Sequence, residues 1–273
     1  MATAYGTRFP WMTLWNHRSL LRQFTARYIH ARHRGSILGF TWAFLNPLLM
    51  LALYTFIFSK VFEGEFRGGE HQPRYALVIF LGLMFYHLVA DILATAPGLI
   101  VSNPNFVKKV VFPLEILPAS AVGASLFHFG VSMILFLFGA LLFQHPFTWV
   151  ALWLPIIALP ILILVLGLGW FLSALGVFLR DLQQVMGMIN LILIYTSCIF
   201  FPPEKVASVA PAVWSVLRFN PLLQSIDLAR NAVLWGQPPS WSILGFTYAA
   251  ALGVAVLGYW TFRTLRPAFA DVV

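Results

Sequence analysis

The sequence predicts an all-α integral membrane protein: six transmembrane helices, an amphipathic N-terminal interfacial helix, and re-entrant helices before the last span. Three observations predict it. Of the 273 residues, 60% are hydrophobic and only 10% are charged, where a soluble domain carries roughly a quarter charged residues. Uncharged apolar runs of spanning length recur along most of the chain, so the protein is polytopic, not merely anchored. Finally, an acid-free stretch holding Arg8, Arg18, Arg22, Arg27, Arg32 and Arg34 runs straight into the first apolar run. Such a junction marks a segment facing cytoplasmic headgroups.

The net charge of +8 does not point to nucleic acid, because the basic residues border the membrane and form no groove-reading element. The lone Cys198 excludes an intramolecular disulfide and a thiolate metal cluster, and its apolar neighbours predict inert packing. A removed signal peptide is not expected. The first apolar run starts behind a long amphipathic segment, without a small-residue cleavage site.

Taken in order, the chain divides into a region of residues 1–36 and a six-span body of residues 37–273. In the first region, Trp11 to about Ala31 predicts a helix lying in the membrane surface. Leu14, Leu20, Leu21, Phe24 and Tyr28 share one side of its wheel, and Ser19, Arg22, Gln23, Arg27 and His30 the other. His17 falls on the apolar side and spoils the pattern. The predicted spans run from about Ile37 to Phe62, Tyr75 to Ile100, Leu114 to Phe143, Trp149 to Phe178, Val185 to Phe201 and Trp241 to Phe262. At about 1.5 Å per residue each can cross a hydrocarbon core of about 30 Å. Pro47, Pro118, Pro155 and Pro160 lie inside or at the ends of spans, where neighbouring helices must satisfy the carbonyls they free.

With the N-terminus inside, the leading arginines join Lys108, Lys109, Arg180, Arg263 and Arg266 on the cytoplasmic side. Lys60, Arg67, Arg74, Lys205, Arg218 and Arg230 fall outside, offset by Glu63, Glu65, Glu70, Glu204 and Asp227. This bias predicts both termini in the cytoplasm. The segment of about residues 201–239 is too apolar for a free loop and is broken by Pro211 and Asn220-Pro221. It predicts two short helices dipping into the outer leaflet. A cryptic extra span is the alternative, which five charges in the segment disfavour.

Little in the chain carries covalent chemistry. It contains no G-x-x-x-x-G-K-[ST], no H-E-x-x-H, no G-x-S-x-G and no cysteine pair. His87 and Asp91, four apart, share a helix face. They read as a hydrogen-bonded structural pair or as the acid/base pair of a membrane enzyme acting on a lipid carrier. No nucleophile or carrier-binding motif accompanies them, which favours the structural reading.

Two segments suggest other work. Phe40, Phe44, Pro47, Leu51, Tyr54 and Phe58 fall along one line of the first span's wheel. An aromatic stripe along a transport path suits sugars, whose C–H faces slide over rings; a stripe facing lipid or another helix has the same wheel. Trp42 and Phe56 lie opposite, toward lipid or a neighbouring helix. The loop of about residues 101–113 is punctuated by Asn103-Pro104 and Pro113. Between them Phe106, Lys108, Lys109 and Phe112 form either a surface helix docking on a soluble partner or a headgroup-anchored loop.

Several stretches together resemble a known family: RHRGSILGFTWAFLNP from Arg32, NFVKKVVFPLEILP from Asn105, the turn at Arg180-Asp181-Leu182, and Asn220-Pro221-Leu222. They are similar to the permease subunits of ABC exporters for O-antigen, capsule and teichoic acid polysaccharides, in order over nearly the whole chain. The chain departs from that pattern at His33, where tyrosine is frequent, and at Leu114-Glu115, where a basic residue is frequent. The resemblance implies a multi-pass protein of the bacterial inner membrane that moves a lipid-linked polysaccharide, most of all of O-antigen type. It implies a homodimer around one channel, with two copies of a separate ATPase that holds the ATP and Mg. This chain then binds no cofactor or metal and is no enzyme on its own. The implied roles are sugar-channel lining for Phe40, Phe44, Tyr54 and Phe58, and ATPase coupling for Phe106, Lys108, Lys109, Phe112 and Pro113. Arg27, Arg32 and Arg34 become phosphate contacts of a cytoplasmic gate helix, with Arg180 and Asp181 at a cytoplasmic turn. An exporter of a small lipid or drug is the rival within the same class.

Overall fold

A computed structural model describes residues 10–32, 35–57, 74–108 and 112–272, which are helices joined by short turns without a strand. The predicted N-terminal helix is two, α1 (Pro10–Asn16) and α2 (Arg18–Arg32). They break at His17, the residue that spoils the amphipathic pattern; its ring bonds the Thr13 carbonyl at 2.9 Å. Phe24 is buried and the polar side of α2 is exposed, as the wheel predicts.

The first predicted span begins later than expected. Ile37 is fully exposed, a 3₁₀ turn covers Gly39–Thr41, and α3 runs Trp42–Phe56. Its predicted end at Phe62 lies outside the described residues. After it come α4 (Arg74–Thr95), the short α5 (Pro104–Val107), α6 (Ile116–Leu142), α7 (Leu154–Phe178) and α8 (Leu182–Thr196). The predicted two-helix segment holds three: α9 (Pro203–Val209), α10 (Pro211–Leu217) and α11 (Pro221–Leu234). Each opens with a proline at its first position, where the missing N–H has no intrahelical bond to lose. Then follow α12 (Trp241–Leu265) and α13 (Phe269–Val272).

Among the described residues four stretches are long and apolar enough to cross a membrane, Tyr75–Gly98, Ile116–Leu142, Trp149–Phe178 and Trp241–Val272. Those at the first and fifth predicted spans, Gly39–Tyr54 and Leu182–Thr196, are apolar but shorter. Helix α4 is the hub. It is buried on nearly every side by α3, α6, α7, α8 and α11, which explains an apolar pattern without a polar face. Helices α7 and α12 cross backbone to backbone. A methyl on Gly167 would meet the Ala255 Cα at 2.5 Å, and one on Gly258 would strike the Gly167 carbonyl. Pro160 lies inside α7, and the Ile156 carbonyl it leaves without an i+4 donor receives the Tyr248 hydroxyl of α12 at 2.9 Å.

The end of α8 is built around an arginine. Arg230 of α11 is wholly buried and donates to the carbonyls of Val78, Cys198 and Ile199 at 3.1, 2.9 and 2.7 Å. Gly82 makes the room, since a methyl there would lie 2.6 Å from its Nη2. Cys198, also fully buried, turns the chain at φ +49° and presents its carbonyl to this arginine. Arg230 was read from the sequence as an outer-loop charge; the apolar face of α11 carries it into the core instead. Nearby, the Asn220 side chain accepts from the backbone N–H of Leu222 at 3.0 Å and of Leu223 at 3.5 Å, and donates to the Thr196 carbonyl at 3.3 Å. Asn220→Ala is expected to lower stability by about 1 kcal/mol, the usual worth of such a cap, as a small fall in the melting temperature of the detergent-solubilised protein. An unchanged melt would show that the cap contributes nothing.

Candidate functional site

Three of the predicted groups converge at one end of the bundle. Helix α2 lies along α6, close enough that a methyl on Gly123 would meet the Thr25 hydroxyl at 2.7 Å. From α2, Phe24 meets Phe106 of α5 edge-on with ring centroids 5.2 Å apart, and Phe112 at 5.3 Å. Phe106 and Phe112 are 4.8 Å apart. The Arg27 guanidinium stands 5.9 Å from the Phe24 ring and 6.0 Å from that of Phe106, within cation–π range. The loop and the amphipathic helix thus form one aromatic knot. Pro113 is buried beside it and Lys108 is exposed. Lys109 and Arg34 lie outside the described residues.

Glu115 has its own partner. It is buried and receives Arg266 Nη1 at 2.6 Å, while Trp170 Nε1 donates to its carbonyl at 3.2 Å. Phe269 of α13 is wholly buried against Phe178 and Phe262. The C-terminal end therefore clamps the loop from the other side.

Arg32, the last residue of α2, donates from Nη1 and Nη2 to the two Asp91 carboxylate oxygens at 2.7 and 3.0 Å. This corrects the predicted His87–Asp91 bond. The two share a face of α4, but the forked guanidinium matches both oxygens at once and an imidazole cannot. That bond to Asp91 makes the Arg32 proton harder to remove than usual, and burial pushes the neighbouring Tyr28 phenol up.

Two cavities meet at this ion pair. One, of about 320 Å³, lies between α3, α4 and α6 and presents Asn46, His87 and Ser132 among apolar and aromatic side chains. The other, of about 610 Å³, lies beside α2 and presents Tyr28, Thr95, Ser102 and Gln183. Arg32, Asp91, Ser125 and His128 line both.

The aromatic stripe of the first span is divided. Phe40 and Phe44 are 43% and 39% exposed with their rings 5.8 Å apart, and Phe40 also meets Phe127 of α6 at 5.8 Å. Tyr54 is half-buried, its ring 5.9 Å from Phe200. Phe58 lies outside the described residues. Trp42, read as opposite the stripe, lines the smaller cavity and donates from Nε1 to the Ser36 hydroxyl at 2.8 Å. Arg180 and Asp181 are exposed in the turn between α7 and α8, where the Asp181 carbonyl accepts the first N–H groups of α8, from Gln184 at 3.0 Å and Val185 at 3.1 Å. Among the described residues no group of three or more His, Cys, Asp or Glu could hold a metal ion.

Sequence reasoning missed the partners of Arg32, Glu115 and Arg230. The available signal was the rarity of ionised side chains at membrane depth, each of which needs a named partner.

Residues 19–234 match the family described as ABC-2 type transporter. The O-antigen export system permease protein RfbA of Myxococcus xanthus is 28% identical over 77% of this chain and 78% of its own length. A Klebsiella pneumoniae protein of the same name is 26% identical over 93% of this chain and 95% of its own. The polysialic acid transport protein KpsM of Escherichia coli is 26% identical over 89% of this chain and 92% of its own. With most of its length matched, including nearly all of α2 and the aromatic knot, this chain belongs to the ABC-2 type transporter family.

Proposed function

We propose that this chain is the membrane-spanning permease subunit of an ATP-driven exporter, moving a lipid-linked polysaccharide across the bacterial inner membrane. The observation that carries the reading is its near end-to-end similarity to relatives named for O-antigen export and polysialic acid transport. The functional unit is a homodimer with two copies of a separate ATPase, which binds ATP and Mg; the chain itself is not an enzyme. Both termini face the cytoplasm, α3 and α8 complete six spans, and α9 to α11 form a re-entrant segment on the outer side. The outward face of α8, with Met188, Leu191, Ile192 and Tyr195 exposed, supports the dimer, because a bundle leaves such a face to lipid or to a second copy.

In this reading the α5 loop, with Phe106, Lys108, Lys109, Phe112 and Pro113, receives the ATPase. The knot with Phe24 and Arg27 supports transmission of its motion to α2, the gate helix bearing Arg27, Arg32 and Arg34. Phe40, Phe44, Tyr54 and Phe58 guide the sugar chain. The lipid-carrier enzyme loses support, since the Asp91 carboxylate is engaged by Arg32 and not by His87.

Deleting the gene is expected to strip the cell of its surface polysaccharide, and the wild-type chain to restore it. The triple variant Phe40→Leu, Phe44→Leu, Tyr54→Leu is expected to reach the membrane but restore none. Polymer that persists without the gene refutes the exporter. Full export by the triple variant refutes the stripe and favours small apolar cargo.

A further inference from the structure

We propose that Arg266 is a positioning residue for the α5 loop, a latch that ties the loop to α12. It gives the motion imposed by the ATPase a second route into the bundle. The inference rests on the exporter reading and deepens it by naming a transmitting element other than α2.

Two kinds of bond hold the loop to its neighbours. Toward α2 they are ring contacts, Phe24 with Phe106 and Phe112, spread over many weak atom pairs that yield to sliding. Toward α7 and α12 they are polar and directed. Arg266 Nη1 donates to Glu115 Oε1 at 2.6 Å and Nη2 to the Phe112 carbonyl at 3.4 Å. One guanidinium thus grips the chain on both sides of Pro113, a task that suits a planar fork and not an ammonium. Trp170 of α7 adds a bond to the Glu115 carbonyl at 3.2 Å.

This grip resists release. The Glu115 side chain is 8% exposed and that of Arg266 21%, and Glu115 Oε2 is buried without a hydrogen-bond donor. Compensation of the buried carboxylate falls on Arg266, and parting the two would leave a charge in an apolar place. Nor can Arg266 trail loosely behind the loop. It directly follows Leu265, the last residue of α12, and Phe269 just beyond it is wholly buried against Phe262 and Phe178. Val107 and Leu114 of the loop share one apolar core with Phe24, Trp170, Phe262 and Phe269. A push on the loop therefore reaches Arg266, then α12, then α7, which meets α12 backbone to backbone at Gly167 and Gly258.

The test compares two readouts. One is surface polysaccharide in the gene-deletion strain carrying each variant. The other is ATP hydrolysis by the purified permease–ATPase complex in lipid nanodiscs. Arg266→Gln is expected to cut export about tenfold, within the usual range for altered coupling, while the complex assembles and hydrolyses ATP as the wild type does. A merely structural role would lower both readouts together, in step with the amount of folded complex. Arg266→Lys keeps a charge opposite Glu115 but loses the fork, and is expected to export at a level between wild type and Arg266→Gln. Amide exchange in Arg266→Gln is expected to rise across α5 and residues 112–117 and to stay level in α4. Should Arg266→Gln fail to fold, the double variant Glu115→Gln, Arg266→Gln, which leaves no buried charge unpaired, must show the same loss and the same exchange. Export and hydrolysis that fall in step, level exchange in the loop, or less export by Arg266→Lys than by Arg266→Gln overturns the latch. If deletion strips the polysaccharide and Arg266→Gln restores it fully, the latch falls and the exporter stands. If polysaccharide persists on deletion, the exporter falls, and amide exchange alone then decides whether Arg266 holds the loop.

Discussion

Arg230→Met is expected to yield little folded protein, with a melting temperature lowered by about 10 °C or more in whatever fraction survives. The arginine donates to three carbonyls from two other parts of the chain, at Val78, Cys198 and Ile199. The side chain is wholly buried, so its removal leaves the carbonyls of Cys198 and Ile199 without this donor. Each such orphan costs about 1–3 kcal/mol, and a loss of roughly 4 kcal/mol corresponds to about 10 °C or more for a chain of this size. Methionine keeps much of the volume and none of the donors. Arg230→Lys is expected to recover only part of the loss, because an ammonium cannot span three acceptors lying in different directions. A thermal unfolding series of the solubilised wild type and both variants decides the matter. An Arg230→Met protein as stable as wild type would mean that the carbonyls find other donors.

The second large effect is expected at Gly258. A methyl added there runs into the Gly167 carbonyl, and one on Gly167 runs into the Ala255 backbone at 2.5 Å. The obstacle in both cases is main chain, which cannot rotate aside. Gly258→Val must therefore force α7 and α12 apart where their backbones meet. The expected cost is about 2–3 kcal/mol or more. Gly253→Ala on the same helix meets nothing within 4 Å and serves as the control. Alanine there is expected to leave stability unchanged or raise it by up to about 1 kcal/mol. Equal melting temperatures for Gly258→Val and Gly253→Ala would show that the two helices separate freely.

What could be read in advance follows from how local each signal is. The four long apolar stretches were legible because bilayer thickness sets helix length directly. Asn103-Pro104, expected to end the preceding helix, instead opens α5, and the single helix expected over Trp11 to Ala31 breaks at His17, whose misfit on the wheel was the unused signal. Three helices were found where two were read at Phe201 to Pro239, because the third proline, Pro203, was not used as a start signal. The late beginning of α3 has a similar local cause, with Gly39 at φ +48° closing a turn. Partnerships were not legible. Arg32 and Asp91 are 59 positions apart, and Arg230 and Val78 are 152 apart. Nothing in a helical wheel ranks distant acceptors for one guanidinium. The assignment of Asp91 to His87 failed for that reason: four-residue spacing was visible, and a better-matched partner on another helix was not.

The turn at Cys198 carries a practical corollary. It is the only thiol in the sequence, and it is sealed in the core beneath Arg230. Maleimide dyes and nitroxide labels should therefore pass over the native protein. A cysteine introduced at Trp15 on α1, which is well exposed, would report on its own, so movement of that helix becomes measurable in an otherwise unaltered background.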